Sequence, residues 1–362
     1  MVAAILPAYK VKAEETGHKH CICGAQHTEK GDHVSDTQTE YSTRLYMKDG
    51  KLMMGDGEWE TRETALTPYV SYNAYSLESG NYYLDTDLEF SYELIEMPVL
   101  FIDGDVNLCL NGHSILLASS QSSVIEVIKG KSLTLTDCKG GGNISHKGIY
   151  SAGHGITTAG TFNMYGGNIT NNFTFGVTNN IADTANNGGG VFIETNCTMN
   201  MYGGTITNNK AVSGKDSSTG ESIEGHGGGV YVSKDSEFNM YGGEISGNQS
   251  ISSWYSYGGG VCVEDKGSIF NMYGGKITGN TAGNGSDVAL YWYGRMCLSG
   301  APILGDIYLV DLNNGGIDVG EGGLAENTTY QINFAGMESS SMVLRCIGTM
   351  SKEDAGHFPA PS

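Results

Sequence analysis

Four stretches of this chain are near-copies of one another: GHGITTAGTFNMYGGNITNN at 153–172, GGGVFIETNCTMNMYGGTITNN at 188–209, GGGVYVSKDSEFNMYGGEISGN at 227–248 and GGGVCVEDKGSIFNMYGGKITGN at 258–280. A fifth, MCLSGAPI at 296–303, is a decayed copy of the FNMYGGKI segment. Tandem self-similarity constrains a fold more than any other sequence feature, because each unit must bury its apolar side chains against its neighbours. Within the unit at 227–248, Val230 and Val232, Phe238 and Met240, and then Ile245 recur with a period of two, which predicts short strands rather than a helix. The glycine run before Val230 and the pair Gly242 and Gly243 fall between those strands, where the chain must turn sharply. Three strands and three corners per unit describe one coil of a parallel β-solenoid, with equivalent positions stacked roughly 4.8 Å apart.

Less regular versions flank the core copies. SGNYYLDTDLEF at 79–90, DVNLCLNGHSILL at 105–117 and KSLTLTDCKGGGNIS at 131–145 alternate in the same way; 288–310 and QINF at 331–334 continue the pattern beyond it. The expected organisation is a leader over 1–40, a cap or linker over 41–78, a single stacked body over 79–340 and a tail over 341–362. That tail is compatible with a natural chain continuing beyond Ser362. Fifty-four glycines in 362 residues, without collagen's three-residue period, fit the same all-β reading.

Forty acidic against 20 basic residues give a net charge of −20, and no dense Lys/Arg cluster occurs. Nucleic acid and anionic membranes are therefore not expected partners. No apolar run is long enough to span a bilayer. The start, MVAAILPAYKVKA, resembles the end of a secretory signal cleaved after Ala13, so the protein is expected to be secreted or on the cell surface, and to act as a monomer. In the leader, Cys21 and Cys23 with His18 and His20 supply the soft ligands of a tetrahedral zinc site, although the spacing is not that of a standard finger. A histidine-containing leader with free or mutually oxidised thiols is the alternative. The pairing of the eight cysteines cannot be read from their spacing.

Together, the FNMYGGxITxN and GGGVYV coils and the CxCG leader at Cys21 resemble right-handed parallel β-helix proteins of the pectin-lyase-like superfamily, and more narrowly the surface repeat proteins of anaerobic gut-type bacteria. The resemblance implies an all-β, right-handed parallel β-helix. It leaves function open, because this fold hosts lyases, hydrolases, adhesins and surface proteins alike.

If the Phe and Met positions point inward, Asn163, Asn200, Asn239 and Asn271 and the tyrosines Tyr165, Tyr202, Tyr241 and Tyr273 form outward rows. Such a tyrosine ladder suits stacking on sugar rings, but pairing along a sheet accounts for most of it. A third row, Asn172, Asn209, Asn248 and Asn280, closes each repeat; there asparagine tolerates a left-handed conformation and bonds its neighbours, a structural role. Insertions at 173–187, 210–226, 249–257 and 281–287 leave the same corner of successive units and should gather on one side. They or their flanks carry Trp254, Tyr255, Tyr257, Tyr291, Trp292 and Tyr293, which with Tyr202 and Tyr241 are the candidate ligand contacts, and the ligand they suit is a neutral glycan.

No catalytic residue is assigned. The GHG triplets around His154 and His226 resemble that of polygalacturonase-type hydrolases, but the paired aspartates and basic segment of those enzymes are missing. Arg295 lacks the acidic calcium cluster that a lyase would place beside its base. Asp103 to Asn107 imitates only the start of a calcium loop and reads as a turn. The expected function is a surface scaffold that binds glycans; a polysaccharide lyase or glycoside hydrolase and a non-binding stalk or protein-binding adhesin are the alternatives.

Overall fold

The computed structural model describes residues 43–49, 51–55, 75–91, 100–118, 122–148, 152–175, 186–215, 222–252, 255–310, 315–325 and 331–334, together with the backbone strands at 18–21, 38–41, 64–65 and 344–346. The described chain is all-β. From Tyr75 to Leu304 it visits three sheets in a fixed rotation, and every repeat adds one strand to each. In the first core copy the three strands are Ile156–Thr158, Thr161–Met164 and Asn168–Thr170. Each pairs in parallel with its equivalent in the next copy: Ile156 with Val191, Phe162 with Met199, Ile169 with Ile206. The three sheets hold ten, thirteen and eight described strands, an arrangement compatible with a parallel β-helix.

The apolar alternation lies where the period predicts. Val230, Val232, Phe238, Met240 and Ile245 are all fully buried, and their equivalents above and below join them in one continuous core. Phe238 stacks on Phe270 with ring centroids 4.8 Å apart. Glycine is required at the corners. Gly243 has φ +87°, and a Cβ there would meet Met201 Cε at 2.6 Å; Gly258 has φ +61°, and its Cβ would meet Val261 O at 2.2 Å.

The closing asparagines point inward, with Asn172, Asn209 and Asn248 fully buried. The backbone amide and Nδ2 of Asn172 both donate to Asn209 Oδ1 at 3.0 Å, and Asn172 Nδ2 also reaches Ile144 O at 3.1 Å. Bonding to neighbouring repeats is thus as expected, but the left-handed residue is the preceding one: Asn171, Asn208, Gly247 and Gly279 have φ between +57° and +72°. The turn and the hydrogen bonds are divided between two adjacent positions, which frees the buried asparagine for the ladder.

The insertions also differ in detail from the sequence reading. Their first residues are strands, Phe173–Phe175, Lys210–Val212 and Gln249–Ile251, stacked in a fourth parallel sheet. The insertions therefore leave one side of the body in register before diverging. At the N-terminal end of the thirteen-stranded sheet, Thr43–Lys48 pairs in parallel with Gly80–Leu84 and antiparallel with Lys51–Gly55, which ends the parallel run. At the other end Leu344–Cys346 pairs with Gly316–Leu324.

Candidate functional site

Along a strand of the ten-stranded sheet, alternate side chains face the core and the outside. In the core copies the outer positions align as Phe192, Tyr231, Cys262, Ala289 and then Tyr308, each opposite the next. Phe192 stacks on Tyr231 at 5.4 Å. The shrinkage from aromatic to Cys262 and Ala289 makes room for Tyr257 and Tyr291 to lie over the sheet: Tyr257 is buried against this row, and its ring stacks on Tyr291 at 4.4 Å. Tyr308 lies 6.2 Å from Tyr257, and Tyr255, 6.3 Å from Tyr257, extends the surface into solvent. A second apolar cluster thus forms on the outside of the body, separate from the core.

Polar groups meet this cluster at one edge. His226 sits with its ring 5.1 Å from Tyr257 and 5.5 Å from Tyr291, and its Nε2 is 3.0 Å from Glu224 Oε2. Its backbone amide donates to Asn187 Oδ1 at 2.8 Å, which holds it in the corner. Glu264, directly opposite Tyr291 in the sheet, accepts a hydrogen bond from the Tyr231 hydroxyl at 3.0 Å. Burial holds the Glu264 carboxyl above its ordinary range, against the lowering effect of His226 and the Tyr231 hydroxyl. Burial also raises Tyr231, Tyr257 and Tyr291, so their hydroxyls stay protonated donors.

At the end of this surface stands Trp292, 52% exposed and edge-on to Tyr291 at 5.8 Å. Its φ is +52°. The other non-glycine residues in this region of φ are all Asn or Asp among the described residues. An aromatic residue in the left-handed region carries a conformational cost of about 1–2 kcal/mol.

The structure divides the sequence-predicted contacts between two places. Tyr255, Tyr257, Tyr291 and Trp292 come together, with Tyr293 exposed beside them in the chain. Tyr202 and Tyr241 belong instead to the ladder that follows the thirteen-stranded sheet, where Tyr165, Tyr202, Tyr241 and Tyr273 stack at 4.4, 4.8 and 4.9 Å. Beneath them the outer asparagines form a chain of hydrogen bonds, Asn271 to Asn239 at 2.8 Å, Asn239 to Asn200 at 3.1 Å and Asn200 to Asn163 at 2.9 Å. Trp254 and Cys23 lie outside the described residues, as do the side chains of His18, His20 and Cys21. Among the described residues no group of three His, Cys, Asp or Glu side chains is placed to hold a metal ion.

Sequence reasoning passed over Tyr231, Glu264 and Tyr308, and found no use for His226. The signal available was the column Glu194, Ser233, Glu264 and Tyr291, where a carboxylate and an aromatic fall on adjacent repeats. The other GHG histidine, His154, is wedged between Asn187 O at 2.9 Å from Nε2 and Thr157 Oγ1 at 3.2 Å from Nδ1, and stacks on Phe192 at 5.2 Å. Burial lowers it to about 3, with His146 adding a smaller push. Arg295 forms an ion pair with the buried Asp318 and is engaged structurally.

No family model, curated protein or solved structure matches this chain. Its fold and site define an all-β repeat protein of long parallel strand stacks, with an aromatic surface that ends beside a histidine and two carboxylates.

Proposed function

We propose that this protein is an extracellular, cell-surface-associated scaffold, a right-handed parallel β-helix of the pectin-lyase-like type, that binds glycans on the surface formed by Tyr255, Tyr257, Tyr291, Trp292 and Tyr293. The observation that carries the reading is Trp292: a half-exposed indole in a left-handed backbone, next to stacked tyrosines. A large aromatic kept where Asn or Asp would be less costly points to a use for the ring. Sugar rings stack on aromatic faces, and tyrosine hydroxyls with Glu224 supply hydrogen-bonding partners for ligand hydroxyls. The net charge of −20 and the carboxylates at the edge disfavour polyanions, leaving neutral glycans as the fitting class. The tyrosine ladder through Tyr202 and Tyr241 is a second, weaker contact surface on the same reading.

The test is a glycan array incubated with the purified protein, with each bound glycan then examined by mass spectrometry. Retention of intact neutral glycans, lost in Trp292→Asn, supports the scaffold; silence across the array overturns it in favour of a stalk or protein-binding adhesin. Shortened or unsaturated products would favour the second reading, a polysaccharide-cleaving enzyme. That reading draws on one observation, the approach of Glu264, with its raised carboxyl, to His226 and Glu224. In the leader, His18, His20, Cys21 and Cys23 would hold zinc, and elemental analysis after zinc addition tests that separately.

A further inference from the structure

Cys109 and Cys138 stand in neighbouring repeats at the thirteen-stranded sheet. Cys109 ends the strand Asp105–Cys109 and lies directly opposite Thr136, the last residue of Ser132–Thr136. The chain beyond Thr136 then folds back over the earlier repeat. Leu110 N donates to Thr136 O at 2.9 Å, and Asp137 accepts from Gly112 N at 2.7 Å and from Gly142 N at 2.8 Å. Those bonds fix the two corners together and place Cys138 Sγ 3.5 Å from Asn111 Oδ1. Cys138 is exposed, whereas Cys109 is fully buried on the outer side of its strand, outside the core.

We propose that Cys109 and Cys138 are a disulfide site joining two successive repeats, with Cys138 as the entry thiol and Cys109 as the resolving thiol. Cys138 Sγ lies against Asn111, two residues beyond Cys109, and the Cys138 and Cys109 side chains interact directly, so the disulfide would join groups already side by side. The oxidant class is a small-molecule or protein disulfide. The Cys138 thiolate attacks one sulfur of that disulfide, forming a mixed disulfide and releasing one thiol. The Cys109 thiolate then attacks Cys138 Sγ and expels the second. Two protein thiols and one external disulfide become one protein disulfide and two external thiols, so atoms and electrons balance. Contact with Cys109, then burial and the neighbouring Asp137, hold the Cys138 thiol well above its ordinary range. Exchange is therefore slow at neutral pH and accelerates as the solution is made alkaline, because only the thiolate attacks. The inference is independent of the ligand surface, which lies on a different sheet.

The experiment uses the full chain, reduced and then incubated to completion with oxidised glutathione over a series from about pH 8.5 to about pH 10, so that a thiol held above its ordinary range can exchange. Non-reducing proteolysis and mass spectrometry should give one joined peptide pair, Cys109 with Cys138, about 2 Da lighter than the two thiol peptides together. Cys109→Ser should leave glutathione on Cys138, and Cys138→Ser should leave Cys109 unmodified because it is shielded. The oxidised wild type should melt at a higher temperature than the reduced protein, a gain absent in Cys138→Ser. If Cys109→Ser does not fold, the exposed-site variant Cys138→Ser and the wild-type map still decide. Persistent glutathione on wild-type Cys138, or pairing of Cys138 with any other cysteine, would overturn the proposal.

Discussion

Asn209 donates from Nδ2 to Asn248 Oδ1 at 3.0 Å, and Asn248 makes the same bond to Asn280 Oδ1 at 2.9 Å, inside the body where all three are buried. Each asparagine also caps a carbonyl of the repeat before it, as Asn209 Nδ2 does with Ile169 O at 2.9 Å. The ladder ends on a carboxylate, Asp287 Oδ1, 2.8 Å from Asn280 Nδ2. Neutral amides that both donate and accept can propagate such a chain indefinitely, whereas a carboxylate accepts only, so Asp287 terminates it.

Asn209→Ala would leave the buried backbone amide of Asn172 without its acceptor and take the Nδ2 donor from Ile169 O, while Asn172 Nδ2 keeps Ile144 O and Thr170 O. A buried polar group so stranded costs about 1–3 kcal/mol, and a loss of about that size is expected in denaturant unfolding. Asn171→Gly, one position before the ladder at φ +57°, should cost little, since glycine accepts that conformation freely.

Trp292→Asn separates binding from folding. Asparagine accepts φ +52° better than tryptophan does, so the variant should match or exceed the wild type in stability by up to about 1 kcal/mol. Its retention of glycans on the array should fall at least tenfold. Unchanged retention with unchanged stability would show that the exposed indole does nothing for the ligand.

Tyr241→Ala removes the ring between Tyr202 and Tyr273. Two stacked contacts on a half-exposed surface predict a destabilisation of about 1–2 kcal/mol. Glycan retention should change much less than in Trp292→Asn. The reverse ranking would move the binding surface to the ladder.

His154 gives the stability a defined pH dependence. Its folded value is lowered to about 3, below the ordinary imidazole value of 6.5, so the unfolded chain binds the extra proton between those limits. The neutral ring's contribution is complete above pH 6.5 and is lost progressively as the pH falls toward 3. Melting temperatures measured across that window should fall with acid more steeply in the wild type than in His154→Gln.

Glu264 acts with the opposite sign. Its folded carboxyl is raised above 4.5, so the folded state holds the proton more tightly and its relative stability declines as the pH rises through the shifted value. Glu264→Gln, which keeps an acceptor for the Tyr231 hydroxyl, should gain stability over the wild type at pH 8 and show no gain at pH 4. A constant difference between the two proteins at both pH values would count against a buried, proton-holding carboxyl.

Amino-acid order alone determined the parallel pairing and the core. The period of two, the recurring Gly pairs and the repeat spacing specify which side chains face inward, and Phe238, Met240 and Ile245 lie there because alternation is a local property of a strand. The stacked tyrosines and the asparagine rows followed from the same alignment, since equivalent positions in tandem copies must lie above one another. Only the tertiary structure decided the rest. Glu224 and His226 sit before one repeat, Tyr231 within it, Glu264 in the next, and Tyr291 and Tyr308 still later; they meet because large outer residues give way to Cys262 and Ala289 and the insertions return across that gap. The approach of Cys138 to the corner that follows Cys109 likewise depends on how one corner folds over another. A repeat specifies its register through short-range chemistry, but which insertions touch depends on packing between separate repeats, and no spacing within the chain encodes that.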